Sequence, residues 1–464
     1  MRTAAAFVAT ALAASSVLAL PILQLRALGP DGPLVPSNDS FYEPSSNGWQ
    51  ELDNGAIINS RPVWTQFDFN ARSVYQVLYK TTSATNESDA TAATLFSPAE
   101  PVSPPKILLF LAPIDSASPD CQVTYALENG GGSNATDFLQ TSVSLDITWA
   151  LSKGYYVAVP DHEGSKAAFI SGVTEALAGL DGLRALLNHN ETLPSADNYT
   201  AVISGYSGGG HASAWASQFL SSYGQDLNVV AAAYGGVPVD LTSTLDLLSN
   251  TSGAYLAVGA LTGLANAYPE LDEFYQQALN PNGTETIELA RTTCNSGLEA
   301  PLANVSVYSL FKDGEAVLQE PTMQKYIAAG RLGQPINDTS LTPVANDGLV
   351  TIPAFQYHSV TDETVAYAPV PAYYQGQCAR GAKIHFSASP GLAHAVAFFA
   401  YAGDAFTFLD NALNGNITQT NCTDSLGIEK LPGSPEYIEA LGEDAWSIVE
   451  MILNATGIAL PGSS

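Results

Sequence analysis

Basic residues are scarce: the 464-residue chain carries 16 Lys and Arg against 45 Asp and Glu, a formal net charge of -29. Such a surface repels polyanions and no basic patch offsets it, so nucleic acid is excluded as a partner. Charge of either sign is thin, at 13% of residues, and the remaining polar surface falls largely to Ser, Thr, Asn and Gln. Cysteine is rare too. The four present, Cys121, Cys294, Cys378 and Cys422, form no Cys-x-x-Cys pair, which argues against a zinc site; no metal or cofactor is expected. An even, widely spaced set fits two disulfides formed in an oxidising compartment, with all three pairings open. Beyond the N-terminus no segment is long and apolar enough to span a bilayer. Histidine is limited to six residues, which shortens any search for a catalytic base.

What is present is a globular composition, 46% hydrophobic and 9% aromatic, in a chain long enough for one large domain or a domain with a substantial insertion. At the N-terminus Arg2 precedes an Ala-rich apolar run over residues 4–20, and Val17-Leu18-Ala19 offers small side chains to a signal peptidase. The segment 1–19 is therefore expected to be a signal peptide. An uncleaved anchor is the competing reading, because the run reaches about the length a bilayer needs. Twelve Asn-x-Ser/Thr sequons, at Asn38, Asn86, Asn134, Asn190, Asn198, Asn250, Asn282, Asn304, Asn337, Asn416, Asn421 and Asn454, suggest a glycosylated surface. Together these features predict a secreted, extracellular protein.

Residues 20–54, rich in Pro, Ser, Asn and Gly, read as an irregular N-terminal arm. Residues 73–80 alternate as a half-buried antiparallel strand should. The runs at 106–111 and 155–159 are continuously apolar, like buried parallel strands, and a helical pattern covers 174–187. Strands alternating with helices predict an α/β sheet covered on both faces. After about Val239 the rhythm changes. Helices are expected at 252–267, 271–279 and 322–329, without buried strands, until β-like runs resume at 354–358 and 383–386. The organisation implied is a first core part over 20–239, a helical cap insertion over 240–341, and a second core part over 342–464.

The chemistry centres on residues 199–220, YTAVISGYSGGGHASAWASQFL. An apolar strand runs into Gly205-Tyr206-Ser207-Gly208-Gly209 and a helix of small residues follows, which is G-x-S-x-G in its required strand–turn–helix setting. The glycines let neighbouring backbone approach a sharp turn, and the following helix aims amide N–H groups at the serine. An ordinary Gly-rich turn is the alternative for the bare motif. A nucleophilic serine needs a base, and the base needs an orienting carboxylate. His162 follows an early strand, His189 sits in a polar loop, His211 reads as a helix-packing residue, and His358 and His385 fall within expected strands. His394 alone follows a late strand through a Pro-Gly loop and opens an apolar helix, in the Ser, acid, His order of an α/β-hydrolase. Asp362 lies 32 residues before it, in the loop after the 354–358 strand, with Glu363 as the alternative acid.

The GYSGG elbow, Pro160-Asp-His-Glu-Gly164, Leu180-Asp-Gly-Leu183, the HSVTDETVAY stretch over 358–367 and the GLAH of His394 resemble the fungal secretory lipase family. The likeness spans about residues 41–452 and rests on the motifs in order. It implies an α/β-hydrolase core with a helical cap inserted before the strand leading to the acid, and a triad of Ser207, Asp362 and His394. It also implies an oxyanion hole built from Asp115 and Gly208, where a loop-capping role is the plain alternative for Asp115. It further implies the pairings Cys121–Cys294 and Cys378–Cys422. The cap matches the family in kind but not residue by residue, which leaves acyl-chain preference open.

The expected activity is carboxylic-ester hydrolysis on acylglycerols or similar lipids, with an oil–water interface as a setting and no stable protein partner implied. A cap rich in Ala, Leu, Tyr and Val offers a lining for an acyl tunnel, although most such residues pack cap helices against one another. Competing readings are an esterase, deacetylase or acyltransferase acting on a small secondary metabolite, and a non-catalytic secreted lipid-binding protein.

Overall fold

The structure, a computed structural model, describes residues 32–44, 47–131, 137–417 and 419–456. The expected signal segment 1–19 and the Asn134 sequon lie outside them. The apolar runs fold into β1 (Ile57–Pro62), β2 (Ala71–Thr82), β3 (Ser88–Pro98), β4 (Lys106–Leu111), β5 (Tyr156–Pro160), β6 (Thr200–Tyr206), β7 (Val229–Gly235), β8 (Ala354–Ser359), β9 (Ile384–Ser389) and β10 (Thr423–Leu426). All join one sheet in the order β1-β2-β3-β5-β4-β6-β7-β8-β9-β10. The β1–β2, β2–β3 and β3–β5 pairs are antiparallel. Every later neighbour pair is parallel, as crossover helices require.

Those helices are α1 (Val123–Leu127) and α2 (Asp137–Ser152) after β4, α3 (Gly172–Asn188) after β5, and α4 (Gly208–Phe219) after β6. Between β7 and β8 stand α5 (Leu241–Leu248), α6 (Ala254–Ala267), α7 (Pro269–Ala278), α8 (Pro281–Thr292), α9 (Asn295–Leu302) and α10 (Pro321–Ala329). α11 (Val370–Ala379) links β8 to β9; α12 (His394–Leu413) follows β9, and α13 (Pro435–Leu441) and α14 (Glu443–Thr456) follow β10. No helix among the described residues is long and apolar enough to cross a membrane.

Successive residues of a buried strand feed opposite faces. Leu109 and Ile203 join the core beneath α3, α4 and the inserted helices, while Leu108 and Val202 join the core beneath α2 and α12. In the second core Trp149 of α2 stacks on Phe406 of α12 with centroids 4.4 Å apart, and truncating either to Ala would cost about 3–5 kcal/mol.

The structure departs from sequence expectation at β2. Its second half, from Gln76 to Thr81, is buried on both faces rather than one, because Phe41 of the N-terminal arm packs onto Leu78, Ala90 and Ala92. The arm itself is a series of short 3-10 turns. β1, β3, β7 and β10 were not singled out from the sequence, nor were α5, α8 and α9 individually within the expected helical insertion. α8 nevertheless carries a local start signal: Asn280 Oδ1 accepts from the Gly283 N–H at 3.0 Å, with Pro281 next in sequence. Both cysteine pairs implied by the resemblance form, Cys121–Cys294 and Cys378–Cys422. The first ties the stretch after β4 to the start of α9.

Candidate active site

Ser207 closes β6 and caps α4 with φ 59° and ψ -124°, a conformation that L-residues hold only where surrounding structure over-determines it. The elbow is tight enough that a Cβ on Gly205 would lie 2.2 Å from the Gly209 carbonyl oxygen. The backbone is clamped from both sides, since Ser207 N–H donates to the Gly235 carbonyl and His211 N–H to the Ser207 carbonyl, each at 2.9 Å.

His394 opens α12, and its Nε2 lies 2.8 Å from Ser207 Oγ. On the other side of the ring, Nδ1 lies 2.7 Å from Asp362 Oδ2. An ionised carboxylate only accepts, so Nδ1 carries the ring proton and Nε2 is the free acceptor facing the serine hydroxyl. Asp362 Oδ1 accepts from the backbone N–H groups of Thr364 and Val365 at 2.9 and 2.8 Å. Burial alone would raise the Asp362 carboxyl, but the hydrogen bond and charge of His394, with His358 and the Val365 N–H, hold it below the usual carboxylate value.

Several neighbours fix this line, and the sequence did not reveal them. Glu363, the alternative acid, turns the other way and accepts the His394 backbone N–H through both carboxylate oxygens, at 3.2 and 2.9 Å. It thus anchors the start of α12, where an anion is favoured. Tyr206 donates its hydroxyl to the His394 carbonyl at 2.7 Å, and Ser359 and Thr361 both donate to the Leu392 carbonyl. His358, fully buried, places Nε2 3.2 Å from the Val365 carbonyl and 3.4 Å from Asp362 Oδ2. Burial pushes its pKa down to about 4, leaving it neutral.

Asp115 and Gly208 meet beside the serine. Asp115 has φ 56°, a region asparagine and aspartate tolerate better than most residues. Its carboxyl packs so closely that a Cβ on Gly208 would fall 1.9 Å from Asp115 Oδ1, which leaves glycine as the residue that fits. Asp115 Oδ1 is buried without a hydrogen-bond partner. Burial raises its pKa to about 7, with His394 opposing and Glu175 adding to the rise. A carboxyl in that state holds its proton for part of the neutral range and can donate.

A narrow apolar cleft begins at Asp115, Ser207 and Gly208. Its walls are Phe169 and Ile170 from the loop before α3, and Leu241, Leu245, Leu261 and Leu264 from α5 and α6. The other histidines stand elsewhere. His162 Nε2 lies 2.8 Å from the Ala112 carbonyl, His189 pairs with Ser60 and Thr192, and His385 with Thr423 and Ser425. His211, expected as packing, is buried and bonded to Glu175. A nucleophile, a base oriented by a carboxylate, two candidate oxyanion donors and an apolar cleft are the parts needed for acyl transfer.

A family model described as secretory lipase matches residues 132–421. A curated Lipase A of Moesziomyces aphidis is 34% identical over 447 residues, covering 94% of this chain and 92% of its own. A secreted triacylglycerol lipase of Malassezia restricta is 30% identical, covering 78% and 75% of the two chains. Among solved structures, Candida antarctica lipase A in its closed state superposes with a TM-score of 0.81 at 31% identity, over 90% of this chain and 96% of that one. This chain belongs to the secretory lipase family.

Proposed function

We propose that the protein is a secreted carboxylic-ester hydrolase, a triacylglycerol lipase, that works through an acyl-enzyme on Ser207. The observation carrying this reading is the unbroken Ser207–His394–Asp362 hydrogen-bond line at the mouth of an apolar cleft. Ser207 Oγ attacks the ester carbonyl carbon while His394 Nε2 takes its proton. Asp362 stabilises the resulting imidazolium. The carbonyl oxygen, now an oxyanion, takes hydrogen bonds from the backbone N–H groups of Gly208 and Asp115 and from the protonated Asp115 carboxyl. The carbon–oxygen bond to the alcohol breaks, His394 returns the proton to the leaving oxygen, and water repeats the sequence to free the acid. The acyl chain lies in the cleft, where removing its methylenes from water favours binding by about 0.8 kcal/mol each. The substrates are lipid esters, met at an oil–water interface.

The test is hydrolysis of an emulsified triacylglycerol and of soluble esters by wild type and Ser207→Ala. The variant should stay folded and lose turnover by about 10⁴-fold or more. A serine-directed phosphonate should label the wild type once. Labelling that persists in Ser207→Ala places the nucleophile elsewhere.

A further inference from the structure

Glu175, His211 and Trp215 form a wholly buried polar chain that the mechanism above does not use. Glu175 stands in the first turn of α3; His211 and Trp215 lie one turn apart on α4. The Trp215 indole N–H reaches His211 Nε2 at 2.9 Å, and His211 Nδ1 lies 2.6 Å from Glu175 Oε2. An indole nitrogen can only donate, so His211 Nε2 must accept and its proton sits on Nδ1, donated to Glu175. The second oxygen, Glu175 Oε1, accepts the Ile170 backbone N–H at 2.8 Å.

Ile170 is where the chain is strained. Its φ is 67°, and that of Ala167 is 49°; for a β-branched residue a positive φ is an outlier that only strong local restraint sustains. The restraint is visible on every side. Ala168 N–H donates to the Glu163 carbonyl at 2.8 Å and Ser171 N–H to the Ala168 carbonyl at 2.9 Å. Asn266 of α6 donates to the Ala167 carbonyl at 3.2 Å, and a Cβ on Gly263 would meet the Phe169 carbonyl oxygen at 2.4 Å. The product of this strain is that Phe169 and Ile170 line the apolar cleft beside Ser207. Among the described residues the side-chain acceptor holding Ile170 N–H is Glu175, and His211 links that acceptor to α4, the helix that begins at Gly208.

We propose that Glu175, His211 and Trp215 are positioning residues that set acyl-chain selectivity, by holding Phe169 and Ile170 in place as the cleft wall. Their side chains touch neither substrate nor the Ser207–His394–Asp362 side chains; His211 meets Ser207 only through its backbone N–H. The inference rests on the acyl-binding role assigned above to the cleft.

The hydrogen-bond logic supplies the test. In Glu175→Gln the amide can still accept from Ile170, but its NH₂ then faces the His211 Nδ1 proton. Moving that proton to Nε2 sets it against the Trp215 N–H. Either way two donors meet, until Trp215→Phe removes one of them. The measured quantity is the ratio of kcat/KM for a decanoate ester to that for an acetate ester of the same alcohol. Expected is a fall in the ratio of about fivefold or more in Glu175→Gln, and in Glu175→Asp, whose shorter side chain retracts from Ile170. Glu175→Gln with Trp215→Phe should return the ratio to within about twofold of Trp215→Phe alone. Should Glu175→Gln not fold, Glu175→Asp and the double variant carry the test. An unchanged ratio in these folded variants, an equal loss at both chain lengths, or additive effects in the double variant would overturn the proposal. A wild type that cleaves neither ester would instead overturn the hydrolase reading beneath it.

Discussion

Asp115→Asn separates two consequences of one proton. The Asp115 carboxyl is buried next to Gly208 with a pKa pushed up to about 7, so its donor form is lost as pH rises through neutrality. For a group titrating at about 7, the protonated fraction falls from about 0.9 at pH 6 to about 0.01 at pH 9. If the O–H assists the oxyanion, kcat/KM falls by up to about ninetyfold across that span. The ionised carboxylate also repels the developing oxyanion, an effect of the same sign. An asparagine amide donates at every pH and never acquires charge. Asp115→Asn should therefore lose the alkaline limb. The assay is a pH–rate profile on a soluble, uncharged short-chain ester, with circular dichroism at each pH to verify the fold. An alkaline limb equally steep in wild type and variant would refute the reasoning, as would a wild type flat to pH 9.

Three further outcomes follow from the same geometry. Asp115, Asp146 and Asp161 are each raised to about 7, first by burial, so the native state binds more protons than the unfolded chain between the ordinary aspartate value and about 7. Stability then decreases as pH rises through that window, by up to ~1.4 kcal/mol per pH unit per group, and thermal melts should show a higher Tm at pH 5 than at pH 8; the opposite order refutes the assignment. Glu363→Ala removes the acceptor for the His394 N–H and should cost about 1 kcal/mol of stability, with a lower kcat; an unaltered melt and kcat would show that anchor to be idle. The two disulfides close loops of 173 and 44 residues, worth about 5 and 4 kcal/mol in the chain-entropy model, so replacing Cys121 and Cys294 by Ser should lower the denaturant midpoint more than replacing Cys378 and Cys422. Equal midpoints would count against a loop-entropy origin.

The elbow was legible because its signal is local: a strand, three glycines around Ser207 and a helix follow one another in sequence. His394 could be found by elimination, since five other histidines fail on order or setting. Glu363 illustrates the limit. Adjacent to Asp362, it cannot be assigned from sequence to the ring or to the backbone of His394, because that choice depends on how the loop turns. Glu175 and His211 are 36 residues apart, and no periodicity marks two helices whose first turns meet. β2 looked half-buried because alternation reports one covered face; the cover on the second face comes from Phe41, some forty residues upstream in a segment without regular pattern. Each described sequon asparagine is exposed, which leaves the surface expectation for glycans open to mass spectrometry.

His358 has a consequence for how the enzyme meets acid. Packed against Asp362 but neutral down to about pH 4, it behaves as a spectator that fills space and offers a dipole without a countercharge. The full negative charge of Asp362 is thereby reserved for the one ring that becomes cationic in the proposed mechanism. A lysine or arginine in that position would compete for the same carboxylate at every pH and weaken its hold on His394. With histidine the competition begins only when the medium becomes acidic enough to force a proton into the interior, and at that point the protein acquires a second cation where its chemistry needs only one.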